Sequence, residues 1–263
     1  DPFSKTNSLS SFSKEFSSIV NNEKECDIRL VQPKYNYISD RRFILREVIR
    51  LRELNISVGD INEMINLRSG FIPGTKVQVY FMEHKNYFDV SELIYKSKNG
   101  RLLTDNAKRY AYFSRAVIST LPHLFWVPDI FVCNGWQSAL IPNIYKDHYE
   151  GINEFYKNIK TVLIIHDLDE YSAVSKTELL DMGISIHPNI KGNKLNIYDV
   201  ASYSADAILI IDRPGNKIST KLLNKSSFKD NKKKVTVFEQ KEIENINYST
   251  VTKSLDQIIS DLT

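Results

Sequence analysis

The stretch Thr161-Val162-Leu163-Ile164-Ile165-His166 decides the fold class, because it is a short apolar run that ends in a polar side chain. A second run, Ala207-Ile208-Leu209-Ile210-Ile211, has the same character. Each run is apolar on both faces of a strand, which is typical of parallel strands that helices cover on both sides. The sequence therefore predicts an α/β protein with a buried, mainly parallel sheet.

Strand and helix signals alternate outward from these two runs. Four more apolar runs predict strands at residues 27–31, 77–82, 129–133 and 235–238. Hydrophobic residues at helical spacing predict helices at residues 9–20, 41–51, 106–121, 137–149, 197–204 and 250–262. This alternation predicts right-handed crossovers and a three-layer, doubly wound, Rossmann-like sheet that contains all six strands.

The organisation of the chain favours one domain. No internal repeat is present, and no linker rich in Pro, Gly or Ser divides residues 1–263. The chain opens at Asp1-Pro2-Phe3-Ser4 as a loop that leads into a helix, whereas the first strand of a doubly wound sheet is usually central. We therefore expect a first strand ahead of residue 1.

Composition excludes several classes of protein. Hydrophobic residues make up 42% and charged residues 25% of the 263 residues, which is typical of a globular protein. The net charge of +3 does not favour nucleic-acid binding, and the dense basic run Lys232-Lys233-Lys234 is best explained as a solvated turn. No apolar run is long enough for a membrane span. Cys26 and Cys133 have no metal-binding or redox spacing, so we predict a cytoplasmic protein without a metal site.

Two long motifs carry a resemblance to a known family. Residues 105–116 read D-N-A-K-R-Y-A-Y-F-S-R-A, and residues 128–142 read P-D-I-F-V-C-N-G-W-Q-S-A-L-I-P. Shorter stretches at residues 27–35, 77–88 and 160–166 follow in the family's order. In these motifs the chain resembles the bacterial glycogen and starch synthases, collinearly from residue 2 to about residue 212. The resemblance implies the N-terminal half of a GT-B glycosyltransferase.

The resemblance also implies an activity and its partners. Synthases of this family transfer glucose from ADP-glucose to an α-1,4-glucan without a metal or another cofactor. Their N-terminal half holds the glucan, and their C-terminal half binds the donor diphosphate with basic side chains. Residues 1–263 contain no such donor motif, so we expect no donor-binding C-terminal domain in this chain and no transfer by the chain alone. The expected partners are an α-glucan, ADP-glucose or both, and a donor-domain or synthase partner chain.

The loop before the first helix matches the family's K-T-G-G-L-G-D-V only in part. By the resemblance, Lys5 is the lysine that reaches the donor phosphates. Asn7 and Ser8 stand where the family has glycines, and Ser11 stands where it has an aspartate. Side chains obstruct the approach of backbone amides to a ligand, so these changes weaken the phosphate site. A solvated Lys5 with Ser8 as a helix cap explains the loop equally well.

Two further positions concern the sugar. The family's H-x-D-W pattern is broken here, because Asn134 and Gly135 replace its second histidine and its aspartate, whereas Trp136 and Gln137 are kept. The resemblance implies glucan contacts for Asn134, Trp136 and Gln137, although packing explains the tryptophan better than stacking on sugar. His166 matches the family histidine that touches the transferred glucose. It ends a predicted strand, where ligands bind in open α/β sheets, and is the candidate catalytic residue.

The motif at residues 105–116 keeps three polar residues of the family. Asp105 and Asn106 are candidate glucan-binding residues by the resemblance. Together with Arg109 they also open a helix, so capping and pairing within the protein explain them as well.

Asp167-Leu168-Asp169 spells D-x-D, a manganese-binding pattern of another glycosyltransferase class. Two carboxylates after a strand can bind a hard divalent ion. The pattern is short, and its position already belongs to the histidine motif, so we predict no metal site there.

Three functional hypotheses remain open. The first is a synthase-family protein without transferase activity that binds glucan or a nucleotide sugar. The second is a glucosyltransferase that becomes active only with a separate or truncated donor domain. The third is an interaction module without enzymatic activity, since a fold alone does not establish a function.

Overall fold

The fold is taken from a computed structural model that describes residues 3–4, 8–23, 26–90, 94–97, 99–240 and 248–262. By its internal contacts the chain divides into two compact units. Unit 1 comprises Asp1–Ser57 and Ile61–Phe125, and unit 2 comprises Val58–Asp60 and Trp126–Thr263. This division does not test whether residues 1–263 act as one domain, which stays a prediction.

In the first half of the chain, helices flank a run of consecutive strands. The elements are, in order, α1 (Ser8–Glu23), β1 (Arg29–Pro33), α2 (Asp40–Phe43), β2 (Arg46–Glu47), β3 (Leu54–Val58), β4 (Ile61–Phe71), β5 (Gln78–Glu83), α3 (Lys85–Phe88) and α4 (Asn106–Leu124). A single 3-10 turn, Ile49–Leu51, lies between β2 and β3.

The first sheet is mixed. Its strand order is β1-β5-β4-β2, and β3 pairs with β4 outside this path. β1 and β5 are parallel, whereas β4 is antiparallel to both β5 and β2. Four consecutive residues of β5, from Val79 to Met82, are buried, so this central strand is covered on both faces.

The second half of the chain has the more regular α/β alternation. Its elements are β6 (Ile130–Asn134), α5 (Ile141–His148), β7 (Lys160–Ile165), β8 (Ala173–Ser175), α6 (Lys176–Asp181), β9 (Lys194–Asn196), α7 (Ile197–Ser204), β10 (Ala207–Asp212), α8 (Ile218–Leu223), α9 (Ser226–Asp230), β11 (Val235–Glu239) and α10 (Tyr248–Leu262).

The sheet of unit 2 is fully parallel. Its strand order is β11-β10-β7-β6, and β8 and β9 form a separate antiparallel pair. Every residue of β10 and all of β7 after Lys160 are buried. Parallel strands that are apolar on both faces need a covering layer on each side, which explains this burial. The carboxyl ends of β6, β7 and β10 therefore lie next to one another at one edge of the sheet.

The predicted α/β class with a parallel sheet is confirmed, and all six predicted strands form within one or two residues of their expected bounds. The prediction that one sheet contains all six is wrong. The strands predicted at 27–31 and 77–82 belong to the mixed sheet, and the other four form the parallel sheet. The antiparallel partners β2 and β4, which the sequence analysis did not predict, give the first sheet its mixed character.

Two predicted helices are also corrected. The helix predicted at 41–51 ends at Phe43, because Ile44 takes a left-handed conformation and Arg46 and Glu47 pair with β4 instead. This long-range strand pairing overrides a local helical pattern. The helix predicted at 137–149 begins only at Ile141, after a turn in which the Ser138 backbone N–H donates to the Gly135 carbonyl.

Two expectations from composition can be checked against the described residues. None of the helices in those ranges combines the length and apolar character that a membrane crossing requires. Lys232–Lys234 form a single 3-10 turn that buries none of its residues, as predicted for a solvated turn.

Candidate functional site

The candidate site lies in unit 2, at the carboxyl ends of three neighbouring parallel strands. β6 leads into Gly135, β7 into His166 and Asp167, and β10 into Arg213. Ligands of open α/β sheets bind at this edge, because the loops there carry exposed backbone and side-chain polar groups. The structure thus brings together Asn134 and His166, which the sequence analysis named as site residues.

His166 is a deeply buried polar group at this edge, with 3% of its surface exposed. Its Nε2 lies 3.4 Å from Oδ1 of Asn134. An amide oxygen only accepts hydrogen bonds, so in the neutral imidazole Nε2 carries the proton and donates it. Burial, assisted by the nearby positive charge of Arg213, lowers the pKa of His166 to about 3. The ring is therefore neutral near pH 7 and serves as a hydrogen-bonding group rather than as a cation.

The turn after β6 explains how Asn134 and Trp136 are placed. Gly135 has a φ of 70°, and its N–H donates to the Ile164 carbonyl at 2.9 Å. A glycine adopts this left-handed conformation without strain, so the chain turns sharply at the end of the strand. Trp136 is only 1% exposed and its ring lies 6.4 Å from that of Tyr171. The indole thus packs inside unit 2, and its contact with glucan stays a prediction, as does that of the half-buried Gln137.

Two carboxyl groups follow His166 on the same loop. The Asp169 side chain accepts a hydrogen bond from the Tyr171 N–H at 3.1 Å and so caps a 3-10 turn, Glu170–Ser172. Burial and the neighbouring carboxyl of Asp167 raise the pKa of Asp169 to about 7. Burial also raises the pKa of Asp167, although Arg213 opposes that shift. Near neutral pH Asp169 is therefore partly protonated, and its carboxyl group can both donate to and accept from a sugar hydroxyl.

The Asp167–Asp169 pair does not extend to a larger metal-binding group. Over the described ranges, no three His, Cys, Asp or Glu side chains come together in a way that could hold a metal ion. A hard divalent cation in proteins usually needs more oxygen ligands than two carboxylates supply.

Sequence analysis missed a buried acid at the end of β10. Asp212 is 2% exposed, and it accepts hydrogen bonds from the Ser219 N–H at 2.9 Å and from the Ser219 hydroxyl. These bonds tie the end of the strand to the start of α8. An aspartate that directly follows an apolar strand is the signal that could have revealed it, and its partners indicate a structural role.

The motif of residues 105–116, which includes the start of α4, lies in unit 1. Asn106 is 8% exposed, its Nδ2 donates to the Tyr95 carbonyl at 3.1 Å, and its Oδ1 accepts from Arg109 Nη1 at 3.0 Å. Asp105 precedes the helix without capping it through its side chain. The contacts of Asn106 are thus made within the protein, and glucan binding by Asp105 and Asn106 stays a prediction.

Unit 1 also contains a histidine–glutamate pair that the sequence analysis did not single out. His84 Nε2 lies 2.6 Å from a carboxylate oxygen of Glu63, and His84 Nδ1 accepts from the Tyr87 N–H at 3.3 Å. Burial lowers the pKa of His84, and the carboxylate of Glu63 opposes this shift. Because both ring nitrogens are engaged, the pair links β4 to the start of α3 and is best explained as structural.

The predicted phosphate-binding loop cannot be compared in the same way. Lys5 and Asn7 lie outside the described residues, and so does the side chain of Ser8. Ser11 is exposed on α1. The phosphate contact of Lys5 therefore stays a prediction.

Comparison with known proteins identifies the family. The sequence model of the family described as the starch synthase catalytic domain matches residues 1–215, which is most of the chain. The chain belongs to this family.

Two glycogen synthases illustrate the relationship. That of Chlorobium luteolum is 35% identical over 170 residues, which cover 63% of this chain and 34% of the relative. That of Chlorobaculum tepidum is 28% identical over 210 residues, which cover 79% of this chain and 43% of the relative. The chain thus spans about a third to two fifths of the length of these curated relatives.

A solved structure supports the fold of this synthase-family chain. The catalytic domain of Starch Synthase IV from Arabidopsis thaliana, bound to ADP and acarbose, superposes with a TM-score of 0.74 at 18% identity. The match covers 90% of this chain and 49% of the plant chain. It confirms the predicted GT-B type of fold.

Proposed function

We propose that this chain is a glycogen or starch synthase-like protein of cytoplasmic glucan metabolism, which binds an α-glucan or ADP-glucose but does not transfer glucose by itself. The observation that carries the proposal is the position of His166. It directly follows β7 at the carboxyl edge of a parallel sheet, beside Asn134, in a chain of the starch synthase family. The histidine thus occupies the place where that fold binds ligands.

The polar groups at this edge suit hydroxyl recognition. A neutral His166, the amide of Asn134 and the carboxyl groups of Asp167 and Asp169 can each hydrogen-bond a sugar hydroxyl. The positive charge of Arg213 lies close enough to His166 and Asp167 to affect their pKa values, and it keeps this acidic pair from repelling a nucleotide phosphate. Contacts of this kind bind weakly when few of them are buried with the ligand.

The chain is poorly equipped for transfer. A glucosyl transfer needs preorganised groups that stabilise the departing diphosphate. Gly135 offers no side chain where the family has an aspartate, and Asn7 and Ser8 replace two glycines of the phosphate loop. Each of these changes removes a contact or obstructs the approach of a backbone amide. Ligand binding without turnover is the expected result.

A titration tests this proposal. The isotopically labelled chain is titrated with maltopentaose and, separately, with ADP-glucose, while amide shifts are followed by NMR. We expect saturable shifts at the residues after β6 and β7, with a Kd for maltopentaose on the order of millimolar. His166→Ala should weaken this binding by about tenfold, since one buried hydrogen-bonding group is worth roughly 1–2 kcal/mol.

His187→Ala is the matched control, because His187 is an exposed histidine of the same unit that stacks on Tyr203 at 3.8 Å. The His187→Ala variant should bind maltopentaose as tightly as the unmodified chain does. The absence of any shift at tens of millimolar ligand, where binding in the millimolar range would saturate the site, contradicts the proposal. Equal losses of affinity in His166→Ala and His187→Ala would also contradict the proposal.

A further inference from the structure

A shallow, open cavity lies within unit 1, on one face of its mixed sheet. Its volume is about 600 Å³, which is within the usual range for small-molecule sites. Arg46, Ser69, Gln78 and Tyr80 come from the strands, and the segment that follows β2 contributes Ile49 and Arg50. None of these residues belongs to the candidate site of unit 2.

Strand register explains the floor of this cavity. Arg46 on β2 pairs with Ser69 on β4, and Ser69 pairs with Tyr80 on β5. Directly paired residues point to the same face of a sheet, with Cβ atoms about 5 Å apart. Gln78 lies two residues before Tyr80 and so points to that face as well. A guanidinium, a hydroxyl, a phenol and an amide therefore lie side by side across three strands.

The ion-pair network of Arg68, whose side chain points to the opposite face of the sheet from Ser69, balances its own charges. Arg68 contacts Asp40 at 3.3 Å, Glu47 at 3.6 Å and Glu83 at 3.1 Å. Lys34 adds a contact of 3.1 Å to Asp40, and Arg52 adds one of 3.7 Å to Glu47. The network thus joins three cations to three carboxylates. The charge of Glu47, the one acidic residue at the cavity, is compensated by two of those cations.

Arg46 and Arg50 are left as surplus positive charges at the cavity. The Arg50 Nε–H donates to the His123 carbonyl at 3.0 Å, and its guanidinium lies 6.0 Å from the centre of the Phe125 ring. These contacts orient the side chain without neutralising it. Within the residues that the structure describes, the Arg46 guanidinium makes no ion pair or hydrogen bond. Two uncompensated guanidinium groups therefore line a cavity whose floor is polar.

We propose that this cavity binds a small phosphomonoester, with the phosphate between Arg46 and Arg50. Guanidinium groups match the oxygens of a phosphate with paired N–H donors. Ser69, Gln78 and Tyr80 provide donors and acceptors for hydroxyl groups on the carbon skeleton. Both arginines are exposed, so the affinity is modest and falls as salt is added.

The probes are inorganic phosphate, glycerol 3-phosphate and glycerol, titrated separately into the labelled chain at low salt. We expect amide shifts around Arg46, Ser69 and Gln78 with both phosphates and none with glycerol. Glycerol 3-phosphate should bind more tightly, because its hydroxyls reach the polar floor. Arg46→Met and Arg50→Met should each weaken its binding by about tenfold, which is roughly 1.4 kcal/mol for one charge-assisted contact.

Arg41→Met is the control, because it removes the same charge from an exposed position on α2 that does not line the cavity. Its affinity for glycerol 3-phosphate should be unchanged. Three results would overturn the proposal: no shifts at tens of millimolar glycerol 3-phosphate, tighter binding of inorganic phosphate, or an equal loss in Arg41→Met. Binding at this cavity shifts amide signals of unit 1, whereas binding of maltopentaose shifts those of unit 2. The experiments can therefore contradict one proposal and support the other.

Discussion

Replacing Arg109 by leucine is expected to lower the free energy of unfolding by about 3–5 kcal/mol. Arg109 is 1% exposed, its Nε donates to the Tyr87 carbonyl at 2.7 Å, and its Nη1 donates to the Ile94 carbonyl at 3.0 Å. Nη1 also bonds the Asn106 amide oxygen. Leucine would leave three acceptors without this donor, and each buried unsatisfied group costs about 1–3 kcal/mol. Removal of a buried charge offsets part of that loss.

Urea denaturation of Arg109→Leu and of Lys108→Leu provides the measurement. Lys108 is the preceding residue of α4, and its ammonium lies 5.7 Å from the centre of the Tyr87 ring. A partly exposed contact of this type is worth about 0.5–1 kcal/mol, so this control should remain close to the unmodified chain. A loss of less than about 1 kcal/mol in Arg109→Leu would show that the hydrogen bonds of this motif are not structural.

The second large effect is the dependence of stability on pH that His166 causes. Its folded-state pKa is lowered to about 3 from an ordinary 6.5. Between these values the unfolded chain binds a proton on the ring and the folded chain does not, so stability falls as the pH falls. From pH 7 to pH 5 this histidine should remove about 2 kcal/mol from the free energy of unfolding. His84, whose pKa is also lowered, acts in the same direction.

Asp169 acts in the opposite direction, because its folded-state pKa is raised to about 7 from 3.8. The folded chain keeps this proton where the unfolded chain has lost it, so stability rises as the pH falls from 7. The two effects are of similar size and nearly cancel in the unmodified chain, and variants separate them. Compared with the unmodified chain, His166→Asn should gain about 2 kcal/mol of stability on going from pH 7 to pH 5, and Asp169→Asn should lose stability over the same range. Parallel curves for all three chains, from denaturation at several pH values, would refute these assignments.

The sequence predicted the strands of unit 2 well, because residues 161–165 and 207–211 are apolar on both faces, a pattern typical of buried parallel strands. It did not reveal the hairpin of β3 and β4, although Leu54, Ile56 and Val58 alternate with polar residues and Gly59-Asp60 supply a turn. That signal was available. The helix predicted at 41–51 was wrong for another reason: part of this segment forms β2, which pairs with the distant strand β4.

The candidate site was predictable only where a local pattern places a residue. The position of His166 follows from the apolar strand before it, and that of Asn134 from the strand β6. Their mutual contact depends on the order of the strands in the sheet, which no local pattern contains. The same holds for Arg213, whose charge reaches His166 from the end of β10. Burial of Trp136 likewise depends on the loop that carries Tyr171, 35 residues further along the chain.

We propose that this synthase-family chain binds its ligands without transferring glucose. The direct measurement is the incorporation of labelled glucose from ADP-glucose into glycogen by the purified 263-residue chain, with His166→Ala as the control. Each preorganised contact absent from a transfer site typically removes about 3–4 kcal/mol of transition-state stabilisation, so we expect no incorporation above the level without protein. Restoring Asn7→Gly, Ser8→Gly and Gly135→Asp together should not restore it. Incorporation that is clear in the unmodified chain and abolished in His166→Ala would contradict the claim.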